Sequence, residues 1–214
     1  MPIHVFFDNS NVLGGAQATF AEREPHIPWY LQRVHFGHIF DLIENGRKVG
    51  CKVLGGSVPP SSESLWDYAR KKGYNTDLLR RVEKDDGKFG EQAVDEVLHL
   101  KIANALLDFD PPQHLVVASG DGRLSLYGTG FATQIERALR AGWTAEVWSW
   151  NAALHKKYWE LERKQPEVFR VNLFDPYFDQ ITFVKAGVMF PSPGVRVEIA
   201  GRVVAKLRIP EGVK

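Results

Sequence analysis

The chain has 214 residues, 44% of them hydrophobic and 25% charged, the balance of a globular protein long enough to bury a core without staples. A net charge of +1 excludes a strongly cationic nucleic-acid coat protein but allows a local basic groove. The lone Cys51 excludes an internal disulfide and a multi-cysteine metal site, and no apolar run approaches the roughly 18 residues of a bilayer span.

Met1-Pro2 leads into the β-like run His4-Val5-Phe6-Phe7, so no signal peptide is expected, and the expected setting is intracellular: cytoplasmic, with the nucleus left open. Asp8-Asn9-Ser10-Asn11 breaks that run with turn-forming polar residues, and Gly14-Gly15-Ala16 reads as a loop. The segment 14–33, with Pro25 and Pro28, is either a substrate lid or a structural insertion. Residues 34–48 carry Val34, Phe36, Ile39, Phe40, Leu42 and Ile43 at helical spacing. A strand over 51–58 follows, with Cys51 as a reduced core thiol. Ser61 or Ser62 then caps a helix that runs to Lys72 and stops at Gly73.

Lys84 to Gly90 reads as a solvated loop, and Glu91 to Asp108 as a helix with a broad apolar stripe that ends before Pro111-Pro112. His114 to Ser119 is the clearest buried strand and runs into Gly120-Asp121-Gly122. A helix over about 129–141, a strand over 144–150, a helix over about 152–163 and a short strand over 168–171 complete the alternation. In the tail, Val195, Val197 and Ile199 alternate, as do Val203, Ala205 and Leu207, around Gly201-Arg202. That pattern predicts a hairpin over 194–209, whose free edge offers a route to a homodimer. Strands separated by helices imply an α/β fold with a mostly parallel sheet. The expected division is a main domain over 1–184 and a small β-hairpin extension over 185–214.

In such a sheet, ligands sit outside the carboxyl ends of the strands. Asp8 and Asp121 each follow a strand, so they share one edge if those strands are neighbours. Asp95 lies near the start of a helix, and Glu96 is turned about 100° from it. Converging carboxylates repel unless a cation neutralises them, and hard oxygen ligands suit Mg²⁺ or Mn²⁺. Each residue also has a plainer reading. Asp8 is a possible N-cap, Asn11 a turn amide, Asp95 a complement to the helix dipole and Gly120-Asp121-Gly122 a turn.

Phe6-Phe7-Asp8-Asn9-Ser10-Asn11-Val12 resembles the opening motif of NYN domains, with Asn9 in place of the usual Gly. Gln92-Ala93-Val94-Asp95 is similar to that family's second motif. Val116 to Gly122 is similar to its third, and Glu146 to Trp150 with Leu154 to its last strand and following helix. The order holds over roughly residues 3–183.

The resemblance implies a PIN-like fold and metal-dependent endonucleolytic cleavage of RNA, single-stranded in the expected case. Asp8, Asp95 and Asp121 would be catalytic and metal-ligating, Asn11 and Ser119 would lie against Asp8 or the substrate, and Glu96 would be a supporting acid. Where many relatives carry a second Asp, this chain has Arg123. That residue either holds a substrate phosphate or weakens metal binding enough to leave a catalytically silent RNA-binding or scaffold module. A phosphatase of the aspartate-nucleophile type is disfavoured, because Ser10 stands where its second Asp would be.

Arg70, Lys71, Lys72, Arg80, Arg81, Lys84 and Lys88, with Trp66, Tyr68 and Tyr74, form a possible phosphate-contact and base-stacking patch, or an ordinary solvated face. Trp148 and Trp150 alternate on a strand and are expected to pack in the core. No two of the seven His stand four apart, which disfavours zinc.

Overall fold

A computed structural model of the chain describes residues 1–58, 63–76, 78–80, 82–83, 89–90, 94–123 and 128–209. The apolar run at the start forms β1 (Ile3–Asp8), buried at every position, as a parallel strand covered on both faces requires. There follow α1 (Asn9–Arg23), β2 (Gln32–Val34), α2 (Phe36–Glu44), β3 (Val49–Val58), α3 (Glu63–Lys71), β4 (Leu78–Arg80), β5 (Val82–Glu83), β6 (Phe89–Gly90) and α4 (Val94–Asp108). The chain continues through β7 (His114–Ala118), α5 (Phe131–Arg140), β8 (Thr144–Ser149), α6 (Lys156–Lys164), β9 (Phe169–Leu173), α7 (Phe178–Ile181), β10 (Thr182–Val184), β11 (Gly187–Ser192) and β12 (Val195–Ile199).

Five parallel strands in the order β3-β1-β7-β8-β9 make the central sheet, and the short β4 extends it beyond β3. From β1 the chain winds outward to β3, then returns past β1 to β7 and winds the other way. The winding therefore reverses between β1 and β7, the position in such sheets where ligands bind outside the carboxyl ends of the strands. Period-two alternation splits β1 between two cores. Ile3, Val5 and Phe7 pack with α1, α2 and α3, whereas Phe6 packs with α4, α5 and α6. The α/β class with a parallel sheet flanked by helices is thus the observed one. Trp148 and Trp150 lie together in the first core.

Several elements differ from the sequence reading. Residues 9–23, read as a turn and a loop, are a 15-residue helix. Asp8 starts it by accepting from the Asn11 N–H (3.1 Å). Gly15 breaks nothing, because it lets α1 close on Trp150: a Cβ there would meet Trp150 Cδ1 at 2.7 Å and Ala153 Cβ at 2.9 Å. The helix expected over 34–48 is shortened to α2. His35 caps its start, with Nδ1 accepting from His38 N, and Asn45 in the left-handed region ends it.

The tail hairpin pairs β11 with β12 and turns at Pro193-Gly194, with Gly194 at φ +80°, not at Gly201-Arg202. Residues 203–207 are not a strand. Arg202 instead bridges to Val184 and binds Glu24, the Thr182 carbonyl and the Thr182 hydroxyl.

Cys51 is a free, half-buried thiol beside His4 (3.2 Å), and burial, aided by the Asp108 charge, pushes it up to about 11. Ser61, Ser62, Arg81, residues 84–88 and residues 91–93 lie outside the described residues.

Candidate functional site at the β1–β7 edge

Asp8 ends β1, and its neighbour across the ladder on β3 is Gly55. On the other side, Phe7 pairs with Ala118, so Ser119 emerges beside Asp8. The Ser119 hydroxyl donates to Asp8 Oδ2 (2.9 Å), while Asp8 Oδ1 accepts from the helix N-terminus. Asp8 is almost fully buried, so its carboxylate is oriented by the fold before any ligand arrives. Asn11 ties the two strand ends together from α1, its Oδ1 accepting from Gly120 N (2.7 Å). The plainer readings and the functional ones therefore coexist: Asp8 is an N-cap, and Asn11 fixes a loop.

The segment Gly120-Asp121-Gly122 is glycine-rich for a steric reason. A Cβ at Gly120 would meet the Ala153 carbonyl at 2.2 Å, and one at Gly122 would meet the His155 ring at 2.6 Å. The chain leading into α6 lies directly on this loop, and His155 N donates to the Gly120 carbonyl (2.9 Å). Asp121 N donates weakly to Ser119 Oγ (3.3 Å), and Asp121 Oδ1 accepts from Arg123 N (2.9 Å). The Arg123 side chain is 88% exposed, with Nε 3.8 Å from Asp121 Oδ1.

The second core brings α4 to the same edge. Gly55 has no side chain, and Leu98 fills the space where a Cβ would meet Leu98 Cδ1 at 2.8 Å. Seating Leu98 there carries Asp95 and His99 towards the end of β1. Asp95 is half-buried and Glu96 exposed, as the turn of the helix between them requires.

Two residues that the sequence reading did not single out report on the cluster. Tyr158, buried on α6, donates its hydroxyl to the Asp121 carbonyl (2.5 Å). Burial first, then the charges of Asp121, Asp8 and Asp95, push that hydroxyl far above the usual phenol range. One buried group thus feels all three carboxylates. His99 is only 5% exposed, and neither ring nitrogen has a hydrogen-bond partner. Burial draws its imidazole below the ordinary value, against the opposing pull of Glu96 and Asp121. Asn9 Oδ1, at the first residue of α1, is a further buried acceptor without a partner. Nothing in the sequence marked Tyr158. His99 was visible only as the position one turn beyond Asp95.

The carboxylates share an edge and an electrostatic neighbourhood, yet they do not form a closed ligand sphere. Among the described residues, no group of three or more His, Cys, Asp or Glu stands close enough to hold one metal ion. The chemistry of the donors suits Mg²⁺ or Mn²⁺, but direct ligation by all three does not fit the side chains as they stand.

The proposed base-stacking patch around α3 needs correction. Trp66 and Tyr74 are core residues, leaving Tyr68 as its only exposed ring. Arg70 pairs with Asp67, and Lys72 pairs with Asp41. Among the described residues, no helix is long and apolar enough to cross a membrane.

The fold and edge residues define an α/β protein in which Asp8 and Ser119 meet at the topological switch point of a parallel sheet. No protein-family model matches the chain, and no curated protein matches it. Among solved structures, it is similar to a crystal structure of a protein of unknown function from Vibrio parahaemolyticus. The identity is 14% and the TM-score 0.55, over 81% of this chain and 93% of that one, a likeness of fold alone.

Proposed function

We propose that the chain is a metal-dependent endoribonuclease of the NYN, PIN-like type, hydrolysing phosphodiester bonds of single-stranded RNA at the β1–β7 edge. The observation that supports this reading is the meeting of Asp8 and Asp121 at the switch point of the sheet, both bonded to Ser119 Oγ, with the charge of Asp95 on α4 also acting on the nearby Tyr158 hydroxyl. Asp8 is held at both oxygens and so presents a fixed negative charge. Asp121 is more open, on a loop clamped by Asn11 and by the start of α6. The exposed Arg123 guanidinium beside it suits a substrate phosphate. Mg²⁺ or Mn²⁺ held by these acids, partly through water, would supply an activated water and stabilise charge on the phosphate.

A second reading has its own support. Arg123 stands where a further acid is expected, and the acids do not close into a ligand sphere. Those features favour a catalytically silent RNA-binding module.

Incubating labelled single-stranded RNA and DNA with Mn²⁺ or Mg²⁺, beside Asp8→Asn and Asp121→Asn, tests both readings. The expected result is divalent-dependent RNA cleavage that both substitutions abolish. Full activity in both variants sinks the nuclease reading. Retention of RNA without cleavage at any divalent concentration selects the silent module.

A further inference from the structure

The segment 24–35, between α1 and α2, leaves an indole in solvent. Trp29 is 72% exposed, whereas Trp66, Trp143 and Trp150 are fully buried. It walls two adjoining cavities of about 290 and 370 Å³, which share Gln17, Trp29 and Gln32. The smaller cavity runs along α1 to Leu13, four residues from Asn9, which is about 6 Å along the helix axis from the acidic edge. Ser64 also lines it, near the start of the helix that follows β3, and so at the carboxyl end of the sheet.

The groove is more than an apolar slot. Arg33 lines it, and among the described residues no carboxylate pairs with that cation. Its Nη1 is held by the Tyr30 and Gln32 carbonyls (both 2.7 Å), which fixes the guanidinium, and among the described residues Nη2 and Nε make no hydrogen bond. Gln32 is fixed by its Nε2 donating to the Ile27 carbonyl (2.9 Å), and Gln17 is exposed at the rim. A flat aromatic face, two amides and a fixed cation match the base face, base edge and phosphate of a single strand. An apolar peptide would use the indole but leave the cation and the amides unmatched.

We infer that this groove is a subsite for single-stranded RNA, one nucleobase stacking on Trp29 with Gln17 and Gln32 at its edge and the adjoining phosphate on Arg33. It rests on the RNA reading above and extends it, because a strand lying there reaches the acidic edge one helical turn away.

The test is binding of a fluorescein-labelled oligoribonucleotide in EDTA, which separates binding from cleavage. Trp29→Ala is expected to weaken binding by about 5- to 150-fold, the range for one lost base stack. Arg33→Ala is expected to weaken it and to lower the salt slope by about one charge, and Arg33→Lys to restore that slope. Trp159→Ala, which removes another partly exposed indole, is the control expected to leave binding unchanged. Circular dichroism of each variant verifies its folding, and the part of the indole-fluorescence quenching by an unlabelled oligonucleotide that disappears in Trp29→Ala reads the stack. Unchanged RNA binding in both Trp29→Ala and Arg33→Ala overturns the subsite while leaving the nuclease reading intact. Quenching by an apolar peptide but not by the oligonucleotide assigns the groove to a protein partner and also overturns it. Failure of every version to bind RNA overturns both.

Discussion

Asp8 carries a structural role and a proposed chemical role on one carboxylate, and two substitutions separate them. Alanine removes the N-cap of α1, a loss of about 1 kcal/mol. It also leaves the Ser119 hydroxyl without its charged acceptor in a buried site, at about 2 kcal/mol. The sum is about 3 kcal/mol, and at ~2–4 °C per kcal/mol for a chain of this size the midpoint falls by about 6–12 °C. Asparagine keeps an oxygen for the Asn11 N–H and is an equally good cap. Its amide nitrogen faces Ser119 Oγ, which can turn to accept, so the cost is about 1 kcal/mol, or about 2–4 °C. Thermal unfolding followed by circular dichroism measures both shifts. RNA cleavage, assayed well below both midpoints, should be lost in Asp8→Asn although its fold is intact. Equal destabilisation by the two substitutions would refute the capping geometry. Undiminished cleavage by Asp8→Asn would refute the chemical role.

Three further outcomes follow from the packing. Burial opposes the charge on Glu146, but His114 and Arg47 (2.6 Å) outweigh it and hold the carboxyl at about 2, below its ordinary 4.5. The stability this contributes is present above pH 4.5 and lost as pH falls towards 2. Glu146→Gln should cost about 3–5 kcal/mol near neutral pH and flatten that acid limb in pH-dependent denaturant melts, and an unchanged limb counts against the pairing. His99→Phe removes two unpartnered ring nitrogens, so stability should stay within ~1 kcal/mol or rise, with the gain growing below the ordinary histidine range, where the buried imidazole resists protonation. A loss above ~2 kcal/mol would reveal a partner for that ring. In α1, Gly14 has open space around it and Gly15 has none. Gly14→Ala should therefore stabilise by about 1 kcal/mol, and Gly15→Ala should destabilise by about 1–3 kcal/mol; midpoints moving the same way would contradict the α1–Trp150 contact.

The sequence by itself determined the elements whose signal is local. Largely apolar runs give β1, β3, β7 and β8, because a strand covered on both faces is apolar at most positions. The periodic stripe gives α4, and the order of strands and helices gives the class. Three acids at strand ends and at a helix start were legible for the same reason: each sits at an element boundary that the sequence marks.

Only the tertiary structure decided whether those boundaries meet. The reversal of winding between β1 and β7 puts Ser119 on Asp8, and Leu98 over Gly55 swings Asp95 to the same edge. The helix over 9–23 was hidden because Gly14 and Gly15 disfavour it locally, while the close approach of Trp150, distant in sequence, requires a glycine there. Trp66 and Tyr74 passed for surface stacking faces because composition does not record burial, whereas Trp29 is the most exposed of the six indoles. Tyr158 and His99 became part of the site through packing from α6 and α4, since contact between residues far apart in the chain leaves no mark at either position alone.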